Sequence, residues 1–315
     1  MLTFLARRLI TLTITVLAAS IIVFLVLEVL PGDPALLMLG TEATDETLAA
    51  MRAQMGLDQP AIVRYVVWIG GLLTGDLGIS YAYDVPVAKL IADRIAVTLP
   101  LALMALVLST AIAIPLGMLA ASQHNRAGDY GVMTFSQLGL AIPNFWFGII
   151  LILLFAVHLG FFDSGGFPGW QAGVIAGLKA LLLPALALAL SEAAILARVT
   201  RSAILETLRE DYVRTARAKG LTRDAVLLNH VLRNAMIPVL TIVGLQFAFL
   251  VAGAIVVESV FYLPGLGRLL FQAISGRDLI VVKDVVVLLA VLVVTVNFVV
   301  DVLYAAIDPR PKAVG

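Results

Sequence analysis

The segment EDYVRTARAKGLTRDAVLLNHVLRNAMIP, Glu210–Pro238, is a polar and basic island between two long apolar runs. Ile204, Leu205, Leu208 and Tyr212 recur at helical spacing, with Arg209, Arg214 and Arg217 between or beyond them. This pattern predicts an amphipathic helix continuing inward from the preceding apolar run. Lys219-Gly220 predicts its end, because glycine reaches positive φ without steric cost. Thr222 predicts the cap of a second helix, with a stripe at Leu227, His230 or Val231, and Asn234; Pro238 marks entry into the next apolar run. The expected shape is helix–turn–helix. A basic loop can serve only to fix topology, and an amphipathic helix can lie on a lipid surface. Paired stripes, a capped turn and length favour a rigid docking surface instead, and the apolar face lacks the Trp and Phe that a lipid-surface helix uses.

The composition around this island sets the class. Of 315 residues, 61% are apolar and 13% charged, and mean hydropathy is +1.05. A soluble chain needs more charge to cover its surface. Crossing about 30 Å of hydrocarbon takes about 20 apolar residues, and such runs lie at Leu9–Leu30, Ile95–Ala121, Val132–His158, Leu178–Ala197, Ala235–Val257 and Leu279–Ala306. Lipid offers the backbone no hydrogen bonds, so these runs are expected to be helices. The short alternating segments of a β-barrel are absent. A net charge of zero gives no argument for nucleic acid, and the lack of cysteine excludes disulfides and thiol chemistry. Arg7 and Arg8 precede the first run and Val16-Leu17-Ala18 weakly resembles a cleavage site, but the run continues to Leu30. An anchored helix is expected rather than a cleaved signal.

Lys and Arg set the orientation. They occur at Arg7 and Arg8, at Arg198, Arg201, Arg209, Arg214, Arg217, Lys219, Arg223 and Arg233, and at Arg310 and Lys312. The segment Leu159–Gly177 has no basic residue, and Pro31–Arg94 carries twice as many acids as bases. Six spans with both termini and the basic loop inside satisfy the rule. The layout expected is a cytoplasmic N-terminus and first span at 1–30, a helical extracytoplasmic insertion at 31–94, a five-helix core at 95–306 with the cytoplasmic loop 198–234, and a cytoplasmic tail at 307–315. Within the insertion, Thr44 before Asp45 and Glu46 predicts a helix start and Gly56 its stop. Asp58-Gln59-Pro60 opens a second helix ending near Gly75. The insertion either caps the bundle or contacts an external solute-carrying protein.

DYVRTARAKGL followed by LRNAMIP closely resembles the signature loop of ABC importer permeases, in the dipeptide/oligopeptide/nickel branch. LPGDPA (Leu30–Ala35), GDLGISY (Gly75–Tyr81), AIPNFWFGIILI (Ala141–Ile152), VVESVFYLPGLGRLL (Val256–Leu270) and VDVLYAAIDPR (Val300–Arg310) resemble it too. The resemblance implies an all-α integral membrane protein with the six transmembrane helices of the type I importer permease fold. The wider family's loop motif begins Glu-Ala-Ala; those positions here are Arg214, Thr215 and Ala216, so the glutamate is absent and no role for it carries over. The loop's role does carry over: Arg214, Thr215, Ala216, Arg217, Ala218, Lys219 and Gly220 are expected to form the coupling helix that seats in a groove of an ATPase subunit. The resemblance implies as partners a homologous second permease subunit, two ABC ATPase subunits and an extracytoplasmic solute-binding protein in the bacterial inner membrane. ATP and Mg would then bind the partners. The chain itself lacks the G-x-x-x-x-G-K-[ST] phosphate loop, so no cofactor and no catalysis are expected on it.

Polar residues at membrane depth are costly and usually face a cavity or a partner. Asn144 and Trp146 after Pro143, Gln246, Glu258, Asn297 and Asp301 are candidates for the translocation path. Asn297 and Asp301 share a face and either line the path or tie their helix to a neighbour. Glu28 is expected to snorkel, and Glu192 to orient the end of its helix. His124, His158 and His230 have no metal-ligand spacing, and no nucleophile elbow is legible. An ion-coupled carrier using Glu192 and Asp301 and an intramembrane enzyme are the competing classes; inverted repeats are not visible for the first, nor a catalytic motif for the second. Di- or oligopeptides are the solutes expected on family grounds, with nickel chelates, glutathione and oligosaccharides as alternatives.

Overall fold

A computed structural model describes residues 2–29, 33–39 and 43–307. In chain order its helices begin with α1 (Leu2–Val29), α2 (Pro34–Leu39), α3 (Asp45–Gln54), α4 (Ala61–Thr74), α5 (Val87–Ser122) and α6 (Ala127–Ala141). They continue with α7 (Asn144–Leu151), α8 (Val174–Thr207), α9 (Asp211–Ala218), α10 (Arg223–Val226), α11 (Leu232–Val260), α12 (Leu266–Ser275) and α13 (Leu279–Ile307). Among the described residues the β contact consists of one isolated bridge, Ile79 with Pro86. Among the described residues five helices are long and apolar enough to cross a membrane, or six if one bent pair is a single span.

That bent pair corrects the third apolar run. Instead of an uninterrupted helix over Val132–His158, Ala127–Ala141 and Asn144–His158 meet at 101°. Pro143 is the cause. It disfavours helical backbone at the preceding residue, and Ile142 is extended at φ −90°, ψ 121°. The second half then winds into a π-helix over Ile152–His158.

The chain divides into two compact units. The first comprises Met1–Val97 and Pro264–Val294. Here Thr44 caps α3 in a capping box with Thr47, and Gly56 follows at φ +66°. Helix α4 packs on α1: the Ser20 and Tyr65 hydroxyls are 2.8 Å apart, and Phe24 meets the rings of Tyr65 and Trp68. Glu28 is paired with Arg64 rather than reaching alone for water. Two buried carboxylates then hold α4 and the stretch after it to the chain's last helices. Trp68 Nε1–H donates to Asp284 at 2.6 Å. The Ser80 hydroxyl and the Ala82 N–H donate to Asp278 at 2.5 and 3.2 Å.

The second unit, Thr98–Leu263 with Thr295–Gly315, centres on α8. Alanines at 185, 187, 189, 193, 194 and 197 are buried along it, so neighbouring helices approach its backbone closely. Gly117 of α5 shows how closely: a Cβ there would stand 2.5 Å from Thr200 Cβ and 2.8 Å from the carbonyl of Ala197.

Candidate functional site

The loop Glu210–Pro238 folds as two helical pieces, with one difference from the expected shape. The helix arriving through α8 stops at Thr207, and a new one starts after Glu210, whose ψ of 146° is extended. The arm is therefore a separate element, α9, set off by a kink. Asp211 in its first turn and Arg217 in its last complement the helix dipole. Its end is a full Schellman motif. Gly220 N–H donates to the Arg217 carbonyl at 2.9 Å and Leu221 N–H to the Ala216 carbonyl at 3.4 Å, with Gly220 at φ +82°. Thr222 Oγ1 then accepts the Ala225 N–H at 3.4 Å and opens α10.

From Arg223 to Val260 the helix is continuous, and Pro238 lies inside it rather than at its start. A π turn at Leu227–Val231 inserts one extra residue, so the buried stripe runs Val226, Val231, Ala235 and Val239. Of the stripe read from sequence, Val231 is buried, while Asn234 is exposed and donates to the Tyr212 hydroxyl at 3.0 Å.

Burial divides α9 into two faces. Val213 (0% exposed) and Ala216 (6%) sit in a core cluster with Ala120, Ala121, Ile204, Val226 and Val231. Arg214, Thr215, Arg217, Ala218, Lys219 and Gly220 are all exposed. Ala216, named with them from the motif, faces the bundle. The Arg214–Asp211 ion pair at 3.3 Å is open to solvent and contributes little. The outward row is a short basic ridge backed by Val213 and Ala216, which are buried in the core cluster.

Asn144 Oδ1 accepts from Ser191 Oγ at 2.8 Å, tying α7 to α8. Gln246 is 2% exposed, and its Nε2–H donates to the Glu192 carbonyl at 2.8 Å, tying α11 to α8. Glu258, fully buried, accepts from Thr98 Oγ1 at 2.6 Å. Trp146 is exposed and Asn297 half-buried; the side chain of Asp301 lies outside the described residues, as do Arg310 and Lys312. None of the five path candidates with described side chains lines an open cavity of about 380 Å³ between Arg198, Val199, Ser202, Ala203, Glu206 and Pro238. Glu192 does not sit at a helix end: it is 6% exposed within α8, and one of its carboxylate oxygens is buried without a hydrogen-bond partner.

Sequence reasoning passed over Asp129. It is 2% exposed and holds Arg201 through both carboxylate oxygens, at 2.5 and 2.7 Å. Its signal was local: an acid in the first turn of α6, bonding the Asn125 N–H just upstream at 2.9 Å. Its partner, 72 positions away, left no trace in the sequence.

Comparison with known proteins decides the family. The model of the binding-protein-dependent transport system inner membrane component matches residues 113–313, and that of the N-terminal part of such membrane components matches residues 1–102. The chain belongs to the binding-protein-dependent transport system inner membrane component family. This transport component is 43% identical over 296 residues to a Brucella abortus protein described as a peptide transport system permease, covering 94% of each chain. It is equally identical over 309 residues to a glutathione transport system permease protein of Salmonella choleraesuis, covering 98% of each. Its fold is similar to that of a chain of the MetNI methionine ABC transporter in an inward-facing conformation. The TM-score is 0.60 at 22% identity, over 70% of this component and 97% of that chain.

Proposed function

We propose that this transport component is the transmembrane permease subunit of an ATP-driven importer for di- or oligopeptides, and that α9 is the contact through which separate ATPase subunits drive it. It spans the bacterial inner membrane six times, the bent pair counting as one span, with both termini inside and the 31–94 insertion outside. It pairs with a second, homologous permease subunit, and the pair binds two ATPase subunits and an external solute-binding protein. ATP and Mg act on the ATPase subunits; this chain performs no catalysis.

The observation that carries this reading is the division of α9. A ridge of Arg214, Thr215, Arg217, Ala218 and Lys219 is open to a partner, while Val213 and Ala216 are embedded in the core. A push on such a ridge is a push on the helices beneath it. Energy can enter only if the partner's two states bind the ridge differently. The peptide and glutathione permeases among the relatives support peptides as the solute class.

Replacing Arg214 and Arg217 together with Glu tests the coupling. The chain should still insert and fold, since both side chains are solvated. Uptake should fall roughly tenfold or more, the size of an ordinary coupling free energy, while ATP hydrolysis by the partners persists. Unchanged uptake would remove α9 from the coupling path. Solute class is tested by direct binding of di- and tripeptides to the external protein that this permease receives solute from; if it binds only a nickel chelate or an oligosaccharide, the peptide assignment fails.

A further inference from the structure

Two arginines that flank α9 in the chain reach back to one and the same turn. Arg201 lies in α8, before α9; Arg223 opens α10, after it. Arg201 Nε donates to Asp129 Oδ1 at 2.5 Å and its Nη2 to Asp129 Oδ2 at 2.7 Å. The same Oδ2 accepts the Asn125 N–H at 2.9 Å and faces His124 Nδ1 at 3.2 Å. Arg223 Nη2 donates to the carbonyl of Ser122, the last residue of α5. The turn that joins α5 to α6 is thus held from both sides of the arm.

The two grips differ in kind. Asp129 is buried and its fork is bidentate, a geometry that fixes direction as well as distance. Withdrawing Arg201 would strand a carboxylate away from water, which is strongly unfavourable. Arg223 is exposed, so its bond to Ser122 steers more than it stabilises. Between them Ala120 and Ala121 at the end of α5 share the core cluster that receives Val213 and Ala216. Hydrogen bonds therefore join the α5–α6 turn to α8 and α10, on either side of α9, and apolar contact joins the end of α5 to α9 itself.

We propose that Asp129, Arg201 and Arg223 are positioning residues that carry a displacement of α9 into α5 and α6, so that these two helices travel with the arm during transport instead of being left behind by α8 and α11. This rests on the reading of α9 as the coupling contact. In the assembled complex, Arg201→Lys keeps the charge but loses the fork, and Asp129→Asn keeps the shape but loses the charge. Each is expected to lower solute imported per ATP hydrolysed roughly tenfold, within the range of a coupling free energy, with ATP hydrolysis within about twofold of the parent. Arg201→Lys combined with Asp129→Glu, which restores reach, is expected to recover much of that ratio. Uptake and hydrolysis falling in parallel would mean that the pair only holds the fold, and an unchanged ratio would mean that it carries no motion.

A second measurement stands even if these variants fail to assemble. The chain has no cysteine, so Ser122→Cys and Arg223→Cys can be joined by a short bifunctional thiol reagent. If turn and arm move together, the cross-link stands in for the lost Arg223 bond and the linked complex transports at least as fast as the unlinked one; arrest on cross-linking overturns the proposal. If the Arg214 and Arg217 reversal leaves uptake intact, the coupling reading itself has failed. If that reversal abolishes uptake while the Arg201 and Asp129 variants do nothing, only the positioning role of these residues has failed.

Discussion

Gly220 has a side chain's worth of empty space around it and still cannot accept most side chains. A Cβ placed there meets nothing within 4 Å, but its φ is +82°. The constraint is purely conformational: an L-residue held left-handed costs about 1–2 kcal/mol, and Asn bears it better than a β-branched residue. Gly220→Val is therefore expected to fray the end of α9 and to lower uptake several-fold, whereas Gly220→Asn should keep most of it. Uptake measured for the two variants at equal membrane content checks this, and equal loss in both would mean that the site has a steric role after all. The same residue also shows what a sequence makes plain. A glycine after a short basic helix reads directly as a Schellman end, because the requirement is local to a few bonds.

At the level of the helix, α9 tests whether burial or charge defines the arm. Val213 and Ala216 are three apart and lie on one face, whereas Ala218 lies on the other, so two alanines two positions apart have opposite surroundings. On the parent chain, which has no cysteine, Ala218→Cys should react readily with a hydrophilic maleimide in inside-out vesicles and lose that reactivity once the ATPase subunits are bound. Ala216→Cys should stay unreactive in both conditions. Protection failing at 218, or equal labelling at 216, would contradict the two-faced arm. The motif alone grouped Ala216 with its exposed neighbours because a string of residues carries no information on which side the bundle will be; the Val213–Ala216 pair is a short stripe that becomes decisive only with a core against it. The π turn at Leu227–Val231 is a second case. Its extra residue moves the stripe from Asn234 to Ala235, a shift that a strict 3.6-residue period does not foresee.

For the whole chain, the basic residues and the apolar runs together predict a topology that labelling can check. Asp163→Cys, in a stretch without Lys or Arg, should react with a membrane-impermeant thiol reagent in intact spheroplasts. Arg217→Cys should react only after permeabilisation. The reverse pattern would invert the permease, and labelling of both from outside would break the six-span count. Membrane class, the apolar runs and the basic arm with its glycine were legible in the residues themselves, because lipid imposes length and charge rules that act on each segment separately. The family resemblance was legible in short strings because the identity and order of neighbouring residues can be read without knowing what they meet in the fold. Tertiary structure decided what depends on two distant segments meeting. The 101° bend at Pro143 leaves the third run as two helices; Gln246, Asn144 and Glu258 became ties between helices; and Asp129 found Arg201 across 72 positions of chain. A backbone period tells a residue which face of its own helix it occupies. Which other helix that face meets is fixed by close packing of the assembled bundle, and small residues such as Gly117 and the buried alanines of α8 set that packing only when the helices are side by side.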